Sequence, residues 1–415
     1  MRLQLSPRGE RTSRTTRPPV APLRSTSARA WAVAACLAAA GTASAPSARA
    51  ERATNTKVRT EVSGYVDSVA VSVLTPAASA TVESPTAGWS AAGSYLVDVV
   101  SAASPDIVST ASPRWSELRQ AGSLGAGYKP GNVGVDGGAN VSYSNDYLSL
   151  SGGARVSLDL AEKNVTLSGG YFYGHDVIGR TGTAFSVFSR TLDTHTIVGG
   201  VTVVLNPTTL VHFAGDLGIE RGDGSKPYRY IPLFTAAVAP TVGRGASPAE
   251  VARARIAARP LEQLPLARER YALTARLNNH SGLGTLRLEE RVYADTWGLL
   301  ASTTDARLYF DVSRRVELGP HARFHGQTAV SFWQRAYVAR DASDIPALRT
   351  GDRELGALWT AGGGLGLRWA IGPGGDPQAW ALTLGADAYY TSFADALYVT
   401  ERVSAFSALG LEATF

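Results

Sequence analysis

Three stretches of the chain gather charge on positions of one parity. Arg268, Arg270 and Arg276 come first, then Arg287, Glu289, Arg291 and Asp295, then Asp305, Arg307 and Asp311. Period two is how one face of a β-strand reads in sequence. On neighbouring strands such side chains lie roughly 5–8 Å apart. A ladder of this kind inside a pore sets a transverse field and biases ion passage. It also holds a wall together through ion pairs. Arg155 and Asp98 stand on the polar faces of other alternating segments. Asp98 sits among Tyr95, Leu96, Val97 and Val99, where a carboxylate must turn to a wet interior or a partner.

Other chemistries lack their residues. His321 and His325 would chelate a metal on a helix, but strand spacing puts them about 13 Å apart. His212 with Asp216 fails in the same way. Gly362-Gly363-Gly364 lies within a strand and leads to no Lys-Ser/Thr, so it is no phosphate loop; close approach in a curved sheet is its simpler role. The sole Cys is Cys36 and the sole Met is Met1, which excludes a disulfide scaffold or a Cys nucleophile in the mature body. No local signature marks a serine nucleophile. No metal, no cofactor and no enzyme activity are expected; a lipid-acting barrel enzyme is the remaining catalytic alternative.

The charge balance narrows the partners. Of 40 Lys+Arg and 35 Asp+Glu, eight Arg and only Glu10 fall in the first fifty residues. The rest of the chain is slightly acidic, so a nucleic-acid partner is excluded. Residues 1–50 read as an export signal: an extended basic region, the apolar run AWAVAACLAAAGTA, then Ala48-Arg49-Ala50 as a cleavage pattern. A lipid-modified Cys36 is the alternative. Residues 51–57 are a short periplasmic segment, and 58–415 form one domain.

That domain alternates with period two from end to end. In 132–144, Val133, Val135, Ala139, Val141 and Tyr143 face Asn132, Asp136, Asn140 and Ser142. Segments 148–160 and 164–174 follow, then 194–205 and 209–220, 268–278 and 284–295. Next come 302–317 and 321–338 about Gly319-Pro320, then 356–371 and 378–393, and finally 401–415. Such strands exceed the five or six residues usual in soluble sheets, and ten tilted residues cross a hydrocarbon core. Short turns alternate with longer loops at 102–114, 174–192, 222–267 and 339–355. This is the periplasmic and external asymmetry of an outer-membrane barrel, closed because lipid tolerates no unpaired edge. The expectation is an all-β, antiparallel, up-and-down transmembrane barrel of about sixteen strands, with fourteen as the alternative; 58–73 and 78–88 supply the extra hairpin.

The long external loop 222–267 contains Ser247-Pro248-Ala249-Glu250, a capping box opening a helix to about Arg259. Arg253, Arg255 and Arg259 decorate it. It either constricts the lumen, lies against lipopolysaccharide or moves freely. Tyr228 and Tyr230, with Trp89, Trp297, Trp333, Trp359, Trp369, Trp380, Tyr389 and Tyr390, are candidate interface aromatics.

The stretch Tyr65-Val66-Asp67-Ser68-Val69, then Pro85-Thr86-Ala87-Gly88-Trp89, then Ser94 through Asp106 resembles a family of Gram-negative outer-membrane barrels, the family of unknown function numbered 3570. Ser225-Lys226-Pro227-Tyr228-Arg229 and Arg291-Val292-Tyr293-Ala294-Asp295-Thr296-Trp297-Gly298 are similar to its later motifs. The resemblance spans roughly 58–415. It implies a barrel in the outer membrane and no reaction. The terminal Phe415 resembles the signal read by the barrel assembly machinery. Together these readings point to porin-like passage or binding of a small polar solute, in a bed of outer-membrane lipid and lipopolysaccharide. The alternative is a structural or adhesive barrel whose external loops bind a partner.

Overall fold

The computed structural model describes residues 54–415, apart from 103, 105–114, 342 and 374–378. The export signal, Cys36, Asp106, Ser109 and most of the turn 372–377 lie outside the described residues.

Sixteen antiparallel strands close into an up-and-down barrel. They are β1 (Asn55–Asp67), β2 (Val71–Ser84), β3 (Trp89–Ala102), β4 (Trp115–Tyr128), β5 (Val133–Ser144), β6 (Tyr147–Leu160), β7 (Val165–Ile178), β8 (Arg190–Asn206) and β9 (Thr209–Gly222). After a long loop come β11 (Ala267–Ser281), β12 (Gly284–Asp295), β13 (Leu300–Ser313) and β14 (Val316–Gln327). The last three are β16 (Leu358–Ala370), β17 (Trp380–Phe393) and β18 (Glu401–Thr414). Each pairs with its sequence neighbour, and β1 pairs with β18 to close the ring. Two dipeptide strands, β10 (Leu233–Phe234) and β15 (Tyr337–Val338), pair in parallel outside the barrel wall. No helix among the described residues is long and apolar enough to cross a membrane; the strands do the crossing.

The alternation sorts the two faces. Val62, Val66, Leu124, Val135, Leu150, Leu167, Phe213, Leu273, Phe324, Leu384 and Leu409 are all exposed and share the outward parity. In water that much apolar surface would be untenable, whereas in a bilayer it is solvated. Closure at the seam is completed by the C-terminal residue: Phe415 and Thr56 exchange both backbone hydrogen bonds, at 2.8 and 3.1 Å. The Phe415 ring meets Trp380 edge-on at 6.0 Å. Strand pairing therefore begins at Asn55, inside the stretch assigned to a periplasmic segment.

Two turns fall elsewhere than the residue types suggest. Gly319-Pro320 is no turn; it lies inside β14, and the hairpin bends at Arg314-Arg315. The β13–β14 ladder runs from Arg307↔His321 to Phe310↔Leu318 and passes over Pro320, which has no N–H to give. Thr75-Pro76 likewise sits inside β2, where pairing with β3 passes from Leu74↔Val99 to Ala77↔Leu96. The stretch 328–338 leaves the wall altogether.

Gly362-Gly363-Gly364 marks a close approach of strands. A Cβ on Gly363 would stand 2.3 Å from the His321 carbonyl oxygen, and one on Gly362 would stand 2.2 Å from that of Ala388. Gly363→Val should therefore abolish the heat-modifiable folded form on gels. Gly385→Ala, where nothing lies within 4 Å, should leave it intact.

Candidate functional site

The predicted ladder lies on the lumen face of one wall, from β9 to β14. Most of its charges are held in pairs. Arg270 meets Glu220 at 2.8 Å and Arg291 meets Asp216 at 3.1 Å. Arg276 and Arg287 share Glu289, at 2.6 and 3.2 Å. Arg307 and Arg323 share Asp305, at 2.8 and 3.9 Å. Glu220, Asp216 and Arg323 were not singled out by the sequence pattern, because β9 and β14 carry their charges singly among glycines and apolar residues. His212, His321 and His325 face the same space. His212 accepts or donates to Thr202 at 2.8 Å, and His325 does so with Thr303 at 2.8 Å.

Two members of the predicted set do other work. Asp295 sits at the rim on the side of the long loop, where its carboxylate is buried against Arg268 at 2.5 Å. It also accepts the backbone N–H groups of Trp297 and Leu299 at 2.9 and 3.0 Å, so it fastens the β12–β13 turn. Asp311 is exposed nearer the periplasmic end, opposite Glu317. Away from this wall, Arg155 lies exposed on β6 with its guanidinium 6.0 Å from the Phe172 ring. Asp98 faces inward from β3, bonded by Thr75 at 2.6 Å and paired with Arg119 at 3.6 Å.

The opposite wall is slender. On β5 the inward Asp136, Gly138 and Asn140 are all exposed. Among the described residues, side chains therefore leave the interior beside β5 open, as the diameter of sixteen strands leads one to expect.

The mouth on the side of the long loop is roofed. The loop 222–267 folds with 328–357 and 393–401 around small apolar clusters. One holds Ile231, Leu233, Tyr337 and Ala339; another holds Phe234, Val242 and Val251. A third gathers Trp297, Leu299 and Val330, with Phe332 and Trp333 packed on it. At its start the loop is tied to the β5–β6 turn, where the Tyr228 hydroxyl donates to Asp146 at 2.7 Å. Further on, Arg244 donates to the Phe393 and Thr400 carbonyls at 3.1 and 3.3 Å. Those anchor points stand on nearly opposite sides of the ring. Sixteen strands about 4.8 Å apart and tilted about 40° enclose a ring roughly 30 Å across. The segment from Tyr228 to Arg244 is long enough to cross it, and its two ends are fastened at these separate points.

The capping box forms as expected at Ser247 and Glu250, but the helix, α1, ends at Ala254. Ile256 N–H is drawn off to the Leu233 carbonyl at 2.8 Å. Arg253 is exposed, Arg255 bonds to local carbonyls, and Arg259 stacks on Tyr230 at 5.6 Å. Trp297 and Trp333 pack within the roof, Tyr228 is bonded there, and Tyr389 faces the lumen toward His321. None of these four is an interface anchor. Trp89, Trp359, Trp369 and Trp380 do face outward.

One buried ion network locks the roof. Glu262 is 1% exposed. It accepts Arg229 at 3.0 Å, the Thr350 hydroxyl at 2.6 Å and the Lys226 N–H at 3.0 Å. Arg229 also meets Asp352 at 2.9 Å. Burial alone would weaken the charge on Arg229, yet the Asp352 and Glu262 carboxylates push its pKa up. Burial alone would raise the Asp352 carboxyl, but Arg229 beside it holds it below the usual carboxylate range. Burial pushes the Tyr337 hydroxyl up to about 12, so it stays a donor to Phe332 at 2.9 Å.

Glu262→Ala should leave Arg229 with Asp352 as its one carboxylate partner and rob the Thr350 hydroxyl and the Lys226 N–H of their acceptor, at a cost of about 1–3 kcal/mol. Proteases should then cut within 222–267 while the barrel stays folded. The depressed Asp352 carboxyl stabilises the roof above its unfolded pKa of about 3.9, and that stability is lost as pH falls through the lower folded value. Pepsin cleavage of the roof should accordingly rise only below about pH 4.

Among solved structures the fold has distant likenesses. CdiB from Acinetobacter baumannii matches at 8% identity and TM-score 0.45, over 88% of this chain and 61% of that one. The chain thus spans about three fifths of that protein. A bacterial polysaccharide outer membrane secretin matches at 9% identity and TM-score 0.43, over 87% and 98%. OprD from Pseudomonas aeruginosa matches at 8% identity and TM-score 0.42, over 87% and 95%. No curated protein matches by sequence. The family model described as "Protein of unknown function (DUF3570)" matches residues 42–397. With that match added to a closed sixteen-strand barrel, the chain belongs to this family of outer-membrane-type β-barrels.

Proposed function

We propose that the barrel passes or binds small polar solutes across the outer membrane, with its roof narrowing the external mouth. The observation that carries this reading is the hollow, wet lumen. Its charged wall stays partly exposed, with Arg291 42% and Arg323 47% exposed, and its far wall of Gly, Ser and Asn is accessible to water. A barrel closed for purely structural reasons would gain more by packing that space with apolar side chains. In this reading the outward face meets outer-membrane lipid and lipopolysaccharide, the chain is exported through a cleaved signal, and Phe415 presents the terminal strand to the barrel assembly machinery. No covalent chemistry is assigned to it.

The folded roof favours a second reading, in which the external surface binds a partner and the lumen is incidental. Planar bilayers separate the two. Passage predicts discrete ohmic steps from purified protein, larger steps when residues 230–258 are replaced by a short Gly-Ser linker, and a shift toward cation selectivity for Arg287→Glu with Arg291→Glu. Silent bilayers from both the intact and the shortened, correctly folded barrel would leave the adhesive reading standing.

A further inference from the structure

The lumen wall holds more positive charge at one level than pairing requires. Arg287 on β12 stands directly opposite Arg307 on β13, and Arg307 stands directly opposite His321 on β14. Directly opposed like charges cost stability in a sheet, and nothing in the fold obliges them to sit there. The next level pairs Glu289 with Asp305, flanked by Arg276 on β11 and Arg323 on β14. Four guanidiniums therefore share two carboxylates. Asp387, which faces this level from β17, is held by His321 at 3.0 Å; set against four guanidiniums, these three carboxylates still leave a positive excess.

Geometry adds to the charge. Each guanidinium has five donors in a planar fork. Arg287 reaches Glu289 only through one terminal nitrogen, at 3.2 Å. Arg307 grips Asp305 through Nε at 2.8 Å and Nη2 at 3.5 Å. Both remain open to the lumen, 36% and 39% exposed. Their carboxylate partners lie on the same strands two residues away, so each acid draws its arginine along the strand and takes up only part of its fork of donors.

We propose that Arg287 and Arg307, supported by Arg276, Arg323 and His321, form an oxyanion-binding site. It takes the phosphate or carboxylate group of a small solute. The site rests on the reading of the lumen as water-filled, and it specifies that reading: the favoured solutes are anionic. A bridging oxyanion satisfies both opposed guanidiniums at once, through charge-assisted bonds.

The test uses the intact chain, folded in detergent so that both barrel ends are open to solvent. Inorganic phosphate and succinate are titrated by calorimetry. Saturable binding of either is expected, and the preferred probe distinguishes a phosphoryl solute from a carboxylate one. Arg287→Gln with Arg307→Gln should weaken binding about tenfold or more. Arg340→Gln, on an exposed external loop, should not change it. Heat-modifiable mobility confirms folding of every variant. Absence of binding by the folded parent protein, or binding unaltered in the double variant, overturns the site. Bilayer conductance measured on the same preparations judges passage separately: conductance without phosphate or succinate binding removes the site and keeps the channel, and binding without conductance does the reverse.

Discussion

Every backbone N–H and C=O that crosses hydrocarbon must find a partner within the protein, and an open sheet cannot meet that demand. The seam between β1 and β18 is therefore the contact on which the rest depends. It runs from Lys57↔Thr414 to Asp67↔Ser404, and the terminal Phe415 extends it by two further bonds to Thr56. Once the ring is closed, each strand has one face committed to lipid. The other face is released from packing and is free to carry charge.

That freedom explains the lumen. Ion pairs are poor stabilisers in water, where desolvation and screening cancel most of their attraction. Here they line a wall rather than fill a core, and their partial exposure keeps the desolvation cost low. Their arrangement follows the register. Glu289 opposes Asp305 and Arg287 opposes Arg307, so between β12 and β13 attraction runs along the strands, while Arg276 and Arg323 reach the same two carboxylates from the strands on either side. Across the interior, glycine, serine and asparagine leave the space open.

The roof obeys the opposite economy. Its clusters are dry, its central carboxylate is almost wholly buried, and its ties reach far along the chain. The motif Ser225-Lys226-Pro227-Tyr228-Arg229 illustrates this. Ser225 accepts the Leu264 N–H at 2.9 Å, Lys226 gives its N–H to Glu262, Tyr228 reaches Asp146, and Arg229 binds Glu262 and Asp352. Asp67 does a similar service on a smaller scale, accepting the N–H groups of Val69 and Val71 at 3.0 and 2.8 Å to shape the β1–β2 turn. The residues on which the family resemblance rests are thus largely fasteners of the external rim.

Strand identity, the facing of Arg276, Arg287, Glu289, Arg291, Asp305 and Arg307 and the even count were all legible in the sequence, because alternation is a local property and lipid enforces it residue by residue. Turn positions were less so. Gly-Pro and Thr-Pro signal bends in isolated chain, yet a long membrane ladder absorbs one missing donor at Pro320 and another at Pro76. The roof was beyond local reading. It is made by pairs such as Arg229 with Asp352 and Arg244 with Phe393, separated by 123 and 149 residues, and no periodicity links such positions. The sharing of Glu289 and Asp305 among four arginines likewise depended on β14 lying beside β13 in one register. Only the closed barrel decided that, because only closure fixes which rows of side chains meet.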